Sequence, residues 1–85
     1  MKSSVTIGRS DVNDIVLDAP QVSGRHAVLS LIKAEPPRYL LRDLGSTNGT
    51  FRNGERITIC EIGPDDNVHI ANIALDPELY RSRLT

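Results

Sequence analysis

Short apolar runs separated by clusters of turn residues set the pattern of this chain. Val5 and Ile7 stand two residues apart and the run stops at Gly8, the period-two signature of a half-buried strand. Residues 15–17, Ile-Val-Leu, form a brief run that Asp18-Ala19-Pro20 closes. The segment Ala27-Val28-Leu29-Ser30-Leu31-Ile32-Lys33 is the best candidate for a core strand. After the turn Glu35-Pro36-Pro37, residues 38–44 return beside it as an antiparallel partner. Asn53-Gly54, between Phe51-Arg52 and Glu55-Arg56-Ile57, predicts a two-residue type I′ hairpin, because both residues tolerate the positive φ that turn requires. Gly63-Pro64-Asp65-Asp66 marks a further turn before Val68-His69-Ile70. There is no internal repeat and no low-complexity stretch. The pattern predicts an all-β chain, a small β-sandwich of short, mostly antiparallel strands over residues 5–75.

Residues 76–85 read differently. Asp76 is an N-cap candidate, Pro77 suits the first helical position, and Glu78 precedes Arg81 and Arg83, the order that suits the helix dipole. This predicts a short C-terminal helix or a frayed tail, with Leu79, Tyr80 and Leu84 available to pack on the sandwich edge.

Length and charge narrow the function classes. Eighty-five residues suit one domain near the lower size limit for a single core. Ten Lys and Arg against eleven Asp and Glu leave a formal charge of −1, which argues against a general nucleic-acid binder. Any anion site must therefore rest on a few placed cations. The single Cys60 cannot form an internal disulfide, so a reducing cytoplasm is the expected location and a small core residue the expected role. No apolar run approaches a membrane span, and Met1-Lys2-Ser3-Ser4 leads into a strand. No membrane contact is expected.

The chemistry lies in the turns. Arg9, Ser23 and the run Leu44-Gly45-Ser46-Thr47-Asn48-Gly49-Thr50 all fall at turn signals. Together they supply a guanidinium, hydroxyls, a carboxamide and glycine-flanked backbone amides, which are the parts of a phosphate receptor provided the loops meet. Ser23, His26 and Asp43 could be written as a hydrolytic triad, but Ser23 lacks the Gly-x-Ser-x-Gly elbow. His26, His69 and the lone Cys60 are too scattered for a metal site. Neither an enzyme nor a cofactor is expected.

Four stretches in order carry a resemblance. They are Val5-Thr6-Ile7-Gly8-Arg9-Ser10, Asn13-Asp14-Ile15-Val16-Leu17, Val22-Ser23-Gly24-Arg25-His26-Ala27, and Asp43 through Phe51 with Asn53-Gly54. The chain resembles a forkhead-associated (FHA) domain, a β-sandwich that recognises phosphothreonine in partner proteins. The resemblance implies that Arg9 and Ser23 contact the phosphate, that Thr47 bonds near it, that Asn48 holds the peptide backbone, and that Ser46 lies at the edge. It implies that His26 braces the loops, with Gly8, Gly45 and Gly49 as backbone devices. Gly24 departs from the family, which often places Arg or Asn there. Arg25 beside it is a peripheral candidate. Asp65 replaces a more usual glycine. The implied partner is a phosphothreonine protein made by a Ser/Thr kinase, and the alternative is a scaffold domain that binds without phosphate. The family usually carries a strand before the Gly-Arg strand and another at the C-terminal end. The chain is therefore expected either to be a trimmed piece of a longer protein or to have its sheet edge completed by something else, and correspondingly to be a monomer or a dimer paired through an open strand edge.

Overall fold

The computed structural model describes residues 3–84. Among the described residues, nine strands and one helical turn follow each other. They are β1 (Ser4–Gly8), β2 (Ile15–Val16), β3 (Ala27–Lys33), β4 (Arg38–Asp43), β5 (Thr50–Arg52), β6 (Glu55–Ile57), β7 (Ile59–Ile62), β8 (Val68–Ile70), β9 (Ile73–Ala74) and α1 (Glu78–Arg81). One sheet has the order β2-β1-β3-β4-β7 and the other β6-β5-β8-β9. Every pairing is antiparallel except β1 with β2. The all-β sandwich is thus the observed fold.

Alternation decides what each sheet buries. Val5 and Ile7 on β1, Ala27 and Leu29 on β3, Tyr39 and Leu41 on β4, and Ile62 on β7 all point inward and are buried. Val68 and Ile70 answer from β8. Each buried Val, Leu or Ile side chain among them contributes about 1.5–3 kcal/mol of burial. Asn53 and Gly54 have φ of 51° and 86°, the two positive values the hairpin pattern predicts.

The apolar run 57–62 hides a change of sheet. Ile57 ends β6 in one sheet and Ile59 begins β7 in the other, so the chain crosses the sandwich at Thr58. Cys60 is half-buried on β7 and packs against the core.

The tail forms a single helical turn. Asp76 accepts the Glu78 N–H through Oδ1 at 3.0 Å and the Leu79 N–H through its carbonyl at 3.0 Å, which is the capping role its position suggested. Tyr80 and Leu84, four residues apart, are buried in the core. The Tyr80 ring meets Tyr39 edge-on, 5.1 Å between centroids. Leu79 does not pack as expected. It points off that face and is exposed, because one helical turn has only one buried side.

Strand β1 is not a bare edge. It has β3 on one side and, at Ile7 and Gly8, β2 on the other. The Thr6 N–H on that side is taken by Asp14 Oδ2 at 2.9 Å. Among the described residues no helix is long and apolar enough to cross a membrane.

Candidate functional site

Three loops gather at one end of the sandwich. Residues 9–14 leave β1, residues 17–26 lead into β3, and residues 44–49 join β4 to β5. The first two are stitched by backbone. Arg9 N–H donates to the Ser23 carbonyl at 2.9 Å and Ser10 N–H to the Gly24 carbonyl at 3.2 Å. The buried Asn13 carboxamide donates to Ser10 O at 2.8 Å and Gly24 O at 2.7 Å. Its motif was visible in the sequence but its bracing role was not, because an Asn in a turn run usually serves only its own turn.

His26 fastens the second loop to the third. It is fully buried. Its Nδ1 accepts the Ser23 N–H at 3.1 Å, so Nε2 carries the proton and donates to the Gly49 carbonyl at 2.8 Å. That carbonyl also accepts the Ala71 N–H at 2.8 Å.

Asp43 organises the third loop. Its Oδ2 accepts the N–H groups of Gly45 and Ser46, both at 2.9 Å, and its Oδ1 accepts the hydroxyls of Ser46 at 2.5 Å and Thr50 at 2.7 Å. Burial pushes this carboxyl up, but the four hydrogen bonds outweigh it and hold Asp43 below its ordinary value. The Ser46 hydroxyl also accepts the Gly49 N–H at 3.0 Å, so it is committed inside the turn. Gly45 and Gly49 sit at φ of 77° and 88°, a backbone that side chains rarely adopt.

The remaining polar groups face outward. Thr47 N–H reaches the Ser23 hydroxyl at 3.4 Å, which joins the third loop to the second directly. Asn48 donates through Nδ2 to the Gln21 carbonyl at 2.8 Å, leaving its second N–H and its Oδ1 available. Arg9 is exposed, and among the described residues its guanidinium has neither an acidic partner nor a hydrogen bond. The structure therefore brings Arg9, Ser23, Thr47 and Asn48 onto loops that bond to one another. Gly24 has open space where a side chain would stand, and Arg25 beside it is exposed. Next to Asn48 lies a cavity of about 330 Å³ lined by Gln21, Asn48, Phe51, Ala71 and Asn72. Sequence reasoning missed it, because Ala71 and Asn72 come from the far turn between β8 and β9.

The hydrolytic arrangement does not assemble. Both His26 nitrogens serve backbone groups and Asp43 serves its own turn. Burial, the largest influence on the Cys60 thiol, pushes it up and away from the reactive thiolate. Among the described residues no three His, Cys, Asp or Glu side chains form a metal-binding group.

Known proteins share this fold. The chain is 40% identical over 72 residues to the ABC transporter ATP-binding/permease protein Rv1747 of Mycobacterium tuberculosis, which covers 85% of this chain and 8% of the transporter. Its fold matches Mycobacterium tuberculosis EmbR, solved in complex with a low-affinity phosphopeptide, with a TM-score of 0.75 and 34% identity over 85% of this chain and 18% of that one. It also matches a structure from an analysis of phosphothreonine-dependent FHA domain interactions, with a TM-score of 0.73 and 27% identity over 91% of this chain and 81% of that one. The family model described as FHA domain matches residues 5–71. That span runs from β1 through the turn after β8 and takes in all three loops, so this chain belongs to the FHA domain family.

Proposed function

We propose that this chain is a phosphorylation-dependent interaction module that binds phosphothreonine peptides at the three-loop end. The observation that carries the reading is the convergence of Arg9, Ser23, Thr47 and Asn48 on mutually bonded loops, with the Arg9 guanidinium uncommitted. A phosphothreonine brings roughly −1.5 to −2 charge at neutral pH. Arg9 meets it with a two-point fork, the Ser23 hydroxyl and the Thr47 group add donors, and Asn48 holds the peptide backbone with the amide atoms that Gln21 leaves available. Ser46 supports this site from inside the turn, as do His26 and the glycines.

Binding is the whole activity in this reading. The commitments of His26 and Asp43 support a module without catalysis. A half-buried, unpaired Cys60 supports a cytoplasmic setting. Residues 1–85 act as one interaction unit, of the kind that the 40%-identical transporter carries within a longer chain.

Isothermal titration with a phosphothreonine peptide and its unphosphorylated twin is the direct test. The phosphopeptide binds and the twin shows almost no heat. Arg9→Ala costs about 1.5–3 kcal/mol, a tenfold to hundredfold loss, and Arg9→Lys also binds worse because a point charge cannot reproduce the fork. Affinity drops below about pH 6, where the phosphate loses its second charge. Equal binding of the two peptides would refute the reading and leave a phosphate-independent scaffold.

A further inference from the structure

The third loop sorts its backbone amides in a way that the motif residues alone do not explain. Gly45 and Ser46 turn their N–H groups inward to the Asp43 carboxylate, and Gly49 turns its own to the Ser46 hydroxyl. Thr47 and Asn48 are left between them. The residue on their other side is Arg56, on β6, directly across from Phe51 of β5. Its Nη2 donates to the carbonyls of Ser46 at 3.3 Å and Thr47 at 3.4 Å.

A trans peptide is planar, so a carbonyl and the N–H that follows it point in opposite directions. The Ser46 carbonyl faces Arg56, and the Thr47 N–H accordingly faces the Ser23 hydroxyl, 3.4 Å away. The Thr47 carbonyl also faces Arg56, which turns the Asn48 N–H outward in the same way. Among the described residues that N–H donates to no group. Two successive amides turned away from one guanidinium are two backbone donors that an anion on that side can use.

The guanidinium is held close. A Cβ on Gly49 would come 2.9 Å from Arg56 Nε and 3.1 Å from the Phe51 ring. Arg56 has no acidic partner among the described residues, where the ion pairs are Arg38 with Glu61 and Arg52 with Asp66. Its guanidinium is exposed to solvent and stands behind both carbonyls with no carboxylate competing for its donors.

We propose that Arg56 is a positioning residue for phosphate recognition: its guanidinium, bonded to the Ser46 and Thr47 carbonyls, aims the Thr47 and Asn48 amides at the phosphate without touching it. The proposal rests on the reading of the three loops as a phosphothreonine site. It adds to that site two backbone donors and the residue that orients them.

The test combines amide NMR with titration of one phosphothreonine peptide into wild type, Arg56→Ala and Arg56→Lys. In wild type the Thr47 and Asn48 amide protons move downfield on binding. In Arg56→Ala those two shifts shrink by more than half while the Ser23 response persists, and affinity falls about tenfold, the worth of roughly one hydrogen bond. The melting temperature of this exposed-site variant stays near that of wild type. Arg56→Lys, which keeps the charge and a donor, recovers part of both the shifts and the affinity. Arg56→Ala that binds within twofold of wild type with unchanged amide shifts overturns the proposal and leaves the phosphothreonine reading intact. A loss of affinity that comes with a large drop in melting temperature and loss of the Ser23 response makes Arg56 merely structural, and also overturns it. Wild type that ignores the phosphate removes both readings together.

Discussion

His26 shows what a single side chain does in this fold. A fully buried imidazole needs a partner for each nitrogen or it costs the desolvation of a polar group. Here both partners are backbone groups, the Ser23 N–H and the Gly49 carbonyl, on two different loops. His26 is therefore a rivet between the loop that presents Ser23 and the loop that presents Thr47 and Asn48. His26→Ala leaves the Ser23 N–H without its partner, takes one of two partners from the Gly49 carbonyl, which keeps the Ala71 N–H, and opens a cavity. The domain therefore loses about 1–3 kcal/mol for the donor left unpaired, with the cavity in addition. Phosphopeptide binding weakens in consequence. Thermal melts of the variant beside the wild type measure this. An unchanged melting temperature with abolished binding would instead make His26 a direct ligand contact.

Strand ends and loop stems meet at the element scale, and Gly8 is the tightest point. It is the last residue of β1, where the Arg9 loop departs. A Cβ there would collide with the Gly24 carbonyl oxygen and stand 2.7 Å from Asn13 Nδ2. Those are the atoms that bind the first loop to the second. Gly8→Ala must push them apart, at a cost of about 1–3 kcal/mol by the usual scale of overpacking. Gly24→Ala is the control, because nothing lies within 4 Å of its added Cβ, and its stability stays within about 0.5 kcal/mol of wild type. Urea denaturation of the two variants gives the comparison, and equal midpoints would mean that the loops do not depend on this close approach. The elements themselves were mostly legible. Alternation located β1 and β8, short apolar runs bounded by turn residues located β2, β3 and β4, and Asn-Gly located the β5–β6 turn. The crossing at Thr58 was not legible, since a largely apolar stretch such as residues 57–62 reads alike whether it stays in one sheet or passes between two. Strand β9 was too short to leave a period.

At the scale of the whole molecule, two carboxylates tie separate parts together and set its response to acid. Asp43 is held below its ordinary value because hydrogen bonds from Ser46, Thr50 and Gly45 outweigh the burial that pushes it up. Asp66 is held low first by the Gly63 N–H, then by Asn53 and Arg52. It pins the turn before β8 to the β5–β6 hairpin. A carboxyl whose folded pKa lies below its unfolded value of about 3.9 stabilises the fold above that value and ceases to do so as pH falls through the folded one. The melting temperature is therefore insensitive to these two groups from pH 7 to about 5 and declines below about 4. Asp43→Asn lowers it at neutral pH and makes the acid decline shallower. Melts from pH 7 to 2.5 on both proteins check this, and parallel acid limbs in the two would exclude Asp43 as a source.

The sequence by itself determined the fold class, the main strands and which residues to propose for the site. Period-two burial and turn chemistry are local properties, and the Gly-Arg, Ser-x-x-His and Gly-Ser-Thr-Asn-Gly stretches state their residue types outright. Only the tertiary structure decided how these residues divide their work. Ser46 spends its hydroxyl on Asp43 and Gly49, and Asn13 and His26 sew loops together. Arg56 stands behind the Ser46-Thr47-Asn48 turn from a neighbouring strand. A hydrogen bond depends on distance and direction between atoms, and residues ten or more positions apart acquire those only when the sheets pack.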